Sequence, residues 1–500
     1  MILVGELALW VALLMAAWGA IVSFAGGRAG RADLIASGVR GVYASFVCSV
    51  LAISGVLVAL VSSDFTFRFV ASFTSANLPV GYKIAALWSG PAGTMLFCTL
   101  VLSTCAAIVV ANTERDEPRM PYVAGVFSAT MLLFVATLCF AVNPYERTLS
   151  PPIEGQGMFP VLQHSGFVLH APVLYLGSIV VSVPFALGLS ALLAGRLDAD
   201  WTLSVRRWGT VSWFLLTIAM IAGMWWAYVE VSDVGHWSLD PVRNLSILPW
   251  LATTALLYSM KREKPRGSIL LATASFPLAV LGVFIVRGGI VAMSPVTSWS
   301  GAAEWLTAFL VAATVTGGYL LITRWPDLTA TTPLNRISGG KRERYGSYAA
   351  LAGLVMFMAA VAGSLFSKEA DITLGSGETA TITDAFGDRR ELTSQGVSRF
   401  DLLNRHVVAV ALQAAQAGEP TELIISEERQ YVDSRGAHTF NPSLEAGIDY
   451  SLNQDVSVVL TGVVGDRAQM RIAFNPLVMW VWIGGAMIAV GGAAAMWGAS

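Results

Sequence analysis

The chain has 500 residues, 55% of them hydrophobic and only 13% charged, with a formal net charge of −2. That charged share is about half of what ordinary soluble domains carry, so a purely soluble globular protein is excluded. No basic block is present, which leaves nucleic acid without a binding surface.

A helix needs roughly 20 predominantly apolar residues to cross a bilayer, and about eleven stretches meet that criterion. In chain order they cover 6–26, 39–62, 94–112, 120–143, 172–195, 206–227, 245–260, 268–286, 303–323, 347–366 and 476–498. The stretch 245–260 is the weakest, being short and interrupted by Pro249. The first reads as a retained helix, because AWGAIVSFAG offers no cleavage site behind a basic leader. Basic residues crowd alternate loops: Arg28, Arg31 and Arg40; Arg115 and Arg119; Arg196, Arg206 and Arg207; Lys261 to Arg266; and Arg324 to Arg344. The loops between them hold only Arg68, Lys83, Arg147 and Arg243. By the positive-inside rule the first set is cytoplasmic, so the N-terminus, the stretch 223–251 and residues 367–474 lie outside.

Residues 1–366 therefore read as a polytopic membrane domain. Residues 367–474 are polar and alternating, as in TATIT at 379–383, and are punctuated by GSGE, FGD and VGDR. This predicts a small β-rich extracytoplasmic domain, in which 400–415 reads equally as helix or strand. Residues 475–500 return the chain to the membrane as a C-terminal transmembrane helix, whose Gly484-Gly485 pair suits close helix packing. The fold class is thus an all-α polytopic membrane protein with a small β-rich extracytoplasmic domain. Cys48, Cys98, Cys105 and Cys139 all fall in apolar spans and read as small buried hydrophobes, not as disulfides or a metal cluster.

The most informative segment is 223–251, GMWWAYVEVSDVGHWSLDPVRNLSILPWL. Trp225, Trp226 and Trp237 supply flat aromatic faces, and Glu230 and Asp240 supply carboxylates. One reading is an aromatic belt at the membrane surface. The other is a platform for a large planar ligand with one apolar and one ionised edge, as haem has. Ionisable groups near membrane depth, here Glu230, Asp240 and Arg287, mark functional sites or snorkel to the interface. Of the five histidines, His164 and His170 sit at the fifth span and His236 in the Trp-rich segment. His406 and His438 fall in the outer domain and read as ordinary solvated residues. No HExxH, CxxCH or paired-cysteine metal spacing occurs.

Taken in order, several segments resemble the CcmF family of cytochrome c maturation proteins. They are ALWSGPAGTMLF (86–97), NPYERTLSPPIEGQGMFPVLQ (143–163), FVLHAPVLYLG (167–177), the Trp-rich segment, IVRGGI (285–290), EERQYVDSRGAHTFNPSLEAGIDY (427–450) and FNPLVMWVWIGGAM (474–487). The resemblance implies a haem lyase component of the inner (cytoplasmic) membrane. Such a protein takes haem at the outer face and presents it to the CxxCH thiols of apocytochrome c. His170 matches an axial ligand of the haem iron, and Trp225, Trp226, Trp237 and Asp240 match the residues that hold the macrocycle and propionates. A haem chaperone, apocytochrome c with its thiol-reducing partners and other maturation membrane proteins are the implied partners; a second CcmF-like chain is open as a further one.

Departures from the family pattern qualify this. Its second outer-face histidine falls at Pro295, and the two histidines of an internal b-type haem fall at Tyr258 and Leu351. Asp233, His236 and Leu239 stand at usual tryptophans and Arg243 at a usual glutamate, and several spans are missing between Trp325 and Tyr345. The internal haem is accordingly expected to be absent. His236 becomes a candidate replacement ligand for the outer haem, resting on histidine's ligand preference. The competing reading is a non-catalytic membrane scaffold of a maturation or respiratory complex that binds no haem. A solute transporter is disfavoured, since no pair of interrupted spans suggests an inverted repeat.

Overall fold

A computed structural model describes residues 1–114, 117–195, 197, 199–230, 247–262, 264–287, 300–324, 326, 340–416 and 419–496. Helices α1 (Ile2–Ala29) and α2 (Ala32–Val61) form a hairpin, followed by two short helices, α3 (Arg68–Phe73) and α4 (Val80–Ala85). The bundle continues with α5 (Pro91–Ala111), α6 (Met120–Phe140), α7 (Ser165–Val180), α8 (Ser182–Ala194) and α9 (Ala199–Glu230). Then come α10 (Ile247–Lys261), α11 (Pro265–Arg287), α12 (Ala303–Arg324) and α13 (Gly340–Gly363), and α14 (Met479–Met496) closes the chain.

Among the described residues ten helical segments are long and apolar enough to cross a membrane, α7 and α8 counting as one. The protein is a multi-pass membrane protein. The expected eleventh span is α10, helical but only 15 residues long, about 22 Å by the helical rise and short of a bilayer core. Helix α1 shows why the bundle holds. Gly5, Ala8, Ala12, Ala16 and Gly19 form its buried stripe, while Leu3, Leu7, Leu14 and Ile21 face outward. Small residues let backbones approach where apolar burial alone gives no advantage over lipid. The same device joins α13 to α14: a Cβ on Gly353 would stand 2.5 Å from the Gly484 carbonyl oxygen, and one on Gly346 would stand 2.7 Å from that of Gly491.

Between α13 and α14 the chain forms two antiparallel sheets, in the order β1-β9-β8-β7 and β2-β3-β4-β5-β6. The strands are β1 (Lys368–Leu374), β2 (Thr379–Thr383), β3 (Arg389–Leu402), β4 (Arg405–Gln416), β5 (Glu419–Tyr431), β6 (Ser443–Glu445), β7 (Gly447–Asp449), β8 (Gln454–Val464) and β9 (Arg467–Pro476). The stretch 400–415, open between helix and strand on sequence, is the β3–β4 hairpin, with Phe400 opposite Val407. Strand β9 alternates outward and inward residues, the period-two pattern of a half-buried strand, and contributes Ala468, Met470, Ile472 and Phe474 to the core between the sheets. Strand β1 leaves α13 and pairs with β9, which feeds α14, so the sheets stand on the α13–α14 pair.

The sheets also dock onto the loops at that end of the bundle. Asn77 donates to the carbonyl oxygens of Leu403 and Val432, at 3.3 and 3.0 Å. Asn404 donates to Gln163 at 2.8 Å, and Ser434 meets Glu154. Phe159 packs on Phe440 at 4.6 Å. Helix α9, about 48 Å long by its rise, outruns a bilayer core of ~30 Å. Its last turn reaches the sheets, where Ala446 N–H donates to the Val229 carbonyl.

Candidate functional site

Helices α7 and α9 run antiparallel, and two glycines set their separation. A Cβ on Gly166 would lie 2.6 Å from Trp226 Cβ, and one on Gly223 would lie 2.6 Å from His170 Cε1. Each helix thus gives up a side chain where the other presents a ring. His170, in the groove so formed, has Nδ1 2.7 Å from the Ala219 carbonyl oxygen. A carbonyl only accepts, so Nδ1 carries the proton and Nε2 keeps its lone pair. Trp226 closes the groove, with ring centroids 6.0 Å from His170 and 5.6 Å from Phe167. Its indole N–H is buried and has no hydrogen-bond partner among the described residues.

Trp225 does not share this face. Adjacent residues on a helix point about 100° apart, and Trp225 turns to the sheets, with its ring 5.7 Å from His164 and its side chain hydrogen-bonded to Tyr450. His164 is buried and caps α7: its Nδ1 accepts from Gly166 N–H at 2.9 Å. The neutral ring therefore carries its proton on Nε2, which stands 3.7 Å from Glu445 Oε1. Glu445 also pairs with Arg429. Glu230 ends α9 beside them, buried, with Oε2 unpartnered among the described residues.

Ligand atoms of His164, Glu230 and Glu445 lie within 4.8 Å of one another, a spacing that can suit a cation. The Gly166 N–H decides otherwise: a metal at Nε2 would need the proton on Nδ1, where the helix cap already sits. Burial pushes the His164 pKa below its usual value, against the opposite pull of Glu230. The cluster is a neutral imidazole facing carboxylates. Nearby, Tyr228 donates to the buried Asp455 at 3.4 Å, and Ser451 N–H donates to the other oxygen at 2.9 Å. Burial nevertheless raises the Asp455 pKa to about 6.

Of the residues expected at the site, the structure brings His170 and Trp226 together and places Trp225 one face away. His236, Trp237 and Asp240 lie outside the described residues, as do Asp233, Leu239, Arg243 and Pro295. Sequence reasoning passed over Gly166, Ala219 and Gly223, whose roles depend on which helix faces which. The one available signal was Gly223, immediately ahead of the Met-Trp-Trp run.

The family described as cytochrome c assembly protein matches residues 88–291, a stretch that holds α7, α9 and the Trp-rich segment. The cytochrome c-type biogenesis protein ccl1 of Rhodobacter capsulatus is 35% identical over 64% of this chain and 50% of its own length. CcmF of Escherichia coli is 38% identical over 53% of this chain and 42% of its own. The probable cytochrome c-type biogenesis protein NrfE of Escherichia coli is 27% identical over 95% of this chain and 98% of its own. Over these spans the chain is similar to cytochrome c-type biogenesis proteins. It spans about half the length of ccl1 and CcmF, the first curated relatives it matches.

A solved structure titled cytochrome c heme lyase CcmF shares the fold, with a TM-score of 0.78 and 20% identity over 99% of this chain and 98% of that one. Tyr258 and Leu351, which the sequence resemblance sets against internal-haem histidines, are both exposed. The Tyr258 hydroxyl accepts from Arg262 at 3.1 Å.

Proposed function

We propose that this chain handles haem during cytochrome c maturation, holding it in the α7–α9 groove for attachment to apocytochrome c. One observation carries the reading: the Ala219 carbonyl fixes His170 in the tautomer whose Nε2 lone pair is free. A backbone acceptor behind the ring is what orients metal-ligating histidines in general. The buried Trp226 N–H, unpartnered among the described residues, fits a ligand that brings its own acceptor, as a propionate does. Haem is the cargo, and what it supplies is the pair of vinyl groups to which CxxCH thiols add.

In this reading His170 holds the iron and Trp226 lies along the macrocycle. Trp225 walls the groove toward the sheets, and Trp237, Asp240 and the candidate ligand His236 complete it from the Trp-rich segment. Tyr258 and Leu351, outward-facing and without an imidazole, support the absence of an internal b-type haem. The partners are a haem chaperone, apocytochrome c with its thiol-reducing proteins, and other maturation membrane proteins. The N-terminus and the sheets lie on the outer side of the inner membrane. A cysteine placed at the exposed Phe386 would be labelled from outside intact cells; labelling only from the cytoplasmic side overturns that orientation.

Haem titration followed by the Soret band tests the main claim. Wild type should bind, and His170→Ala should lose the ligated spectrum and at least tenfold in affinity. Identical titrations for the two proteins would reject the haem site and leave the scaffold reading standing.

A further inference from the structure

The sheets carry a second pair of histidines that the haem groove does not use. His406 opens β4, and His438 lies 32 residues later in the turn after β5. An isolated bridge between Val432 and His438 folds this turn back. The rings then meet, with centroids 6.4 Å apart and planes 43° apart. Asp401, the cross-strand partner of His406, places Oδ1 2.6 Å from His406 Nδ1. An ionised carboxylate only accepts, so the proton sits on Nδ1 and His406 Nε2 offers a lone pair. Carboxylate, histidine and open nitrogen is the arrangement that orients imidazole toward zinc-like ions.

We propose that Asp401, His406 and His438 form a binding site for a divalent transition-metal ion of the zinc class, on the outer sheets and independent of the haem reading. Imidazole suits such ions, with metal–nitrogen distances of about 2.0–2.1 Å, and two rings sharing a tetrahedral ion stand with centroids on the order of 5 Å apart. The observed separation needs only a small side-chain adjustment. Both rings are exposed and free to make it, and an ion can reach them without opening the fold. Water completes the shell, while Asp401 stays on Nδ1.

The backbone beneath is held firm. Asp433 accepts from the N–H groups of Arg435 and Ala437, at 2.9 and 2.8 Å, and so braces the turn that carries His438. The site also stands over a docking contact. Leu403, at the tip of the β3–β4 hairpin that carries His406, and Val432, at the base of the His438 turn, both offer their carbonyl oxygens to Asn77. An ion bridging the two histidines ties together the two segments by which the sheets grip the bundle.

The test uses the full chain in detergent, purified without a polyhistidine tag, and isothermal titration with Zn2+. Wild type should bind one equivalent. His406→Ala and His438→Ala should each weaken that binding at least tenfold, and Asp401→Asn by roughly tenfold. His164→Ala and His170→Ala should bind as wild type does. Circular dichroism checks each variant's fold, and His406→Gln serves if the alanine variant misfolds. Zn2+ affinity unchanged in His438→Ala would overturn the proposal. So would binding lost only in His164→Ala, or a Soret band that survives His170→Ala and disappears in His406→Ala, which would make the pair a haem ligand instead.

Discussion

His164 and His170 lie six residues apart at the start of one helix, yet use their ring nitrogens in opposite ways. At the junction with the sheets, His164 Nδ1 accepts a backbone N–H; in the groove below, His170 Nδ1 donates to a backbone carbonyl. The first ring spends its lone pair on capping a helix and turns a proton toward carboxylates. The second spends its proton on a helix flank and keeps a lone pair for a ligand. A histidine's chemistry is set by the backbone group it meets, so the junction is a structural clasp, while the groove keeps a ring nitrogen open for the proposed ligand.

The contrast can be broken most severely at its glycine. Gly223→Ala puts a methyl 2.6 Å from His170 Cε1, and should lower haem affinity about 10–100-fold with the spectrum altered, as loss of ligand orientation does elsewhere. A variant that binds haem as wild type does would show that the ring seat is not what positions the ligand.

The next effect belongs to the junction and depends on pH. Burial raises the folded pKa of Asp455 to about 6, above the usual carboxylate range. Its stabilising contribution is therefore full below the unfolded pKa and is lost as pH rises through about 6. Asp455→Asn removes that loss. Thermal unfolding of the two proteins should coincide near pH 4 and separate by up to about 3 kcal/mol above pH 7, at 1.36 kcal/mol per unit. Parallel curves across that range would mean that Asp455 does not titrate on folding.

The smallest effect sharpens the comparison itself. His164→Ala should cost about 1 kcal/mol through the lost cap, while His164→Asn, a good capping residue, should restore it. Neither should change the haem spectrum; a shifted Soret band in either would place His164 at the iron. Because the His164 pKa is depressed, its contribution has the opposite sign to that of Asp455. It is present above the ordinary imidazole value and lost as pH falls through the folded one, so the two contributions run in opposite directions with pH and partly offset each other.

Much of this was legible in residues. Apolar runs located ten of the spans, and the alternation of TATIT announced a strand. Gly484-Gly485 signalled close packing, and Gly484 does approach Gly353. His170 and the paired tryptophans stood out as candidate site residues. What misled was adjacency: Trp225 and Trp226, taken together as one platform, face different partners because a helix turns 100° per residue. His406 and His438, read as separate solvated residues, meet through a turn whose register no local pattern specifies.

Hydrophobicity and periodicity are properties of short stretches, and so the sequence by itself determined the membrane character, the strands between α13 and α14 and the residue types available for a ligand. Which ring nitrogen is free, which glycine seats which ring and which histidines become neighbours depend on groups distant in the chain. Ala219 selects the tautomer of His170 from 49 residues away, and that choice exists only once α7 and α9 are packed. Tertiary structure alone decided it, because a proton on imidazole goes where the nearest backbone acceptor lies.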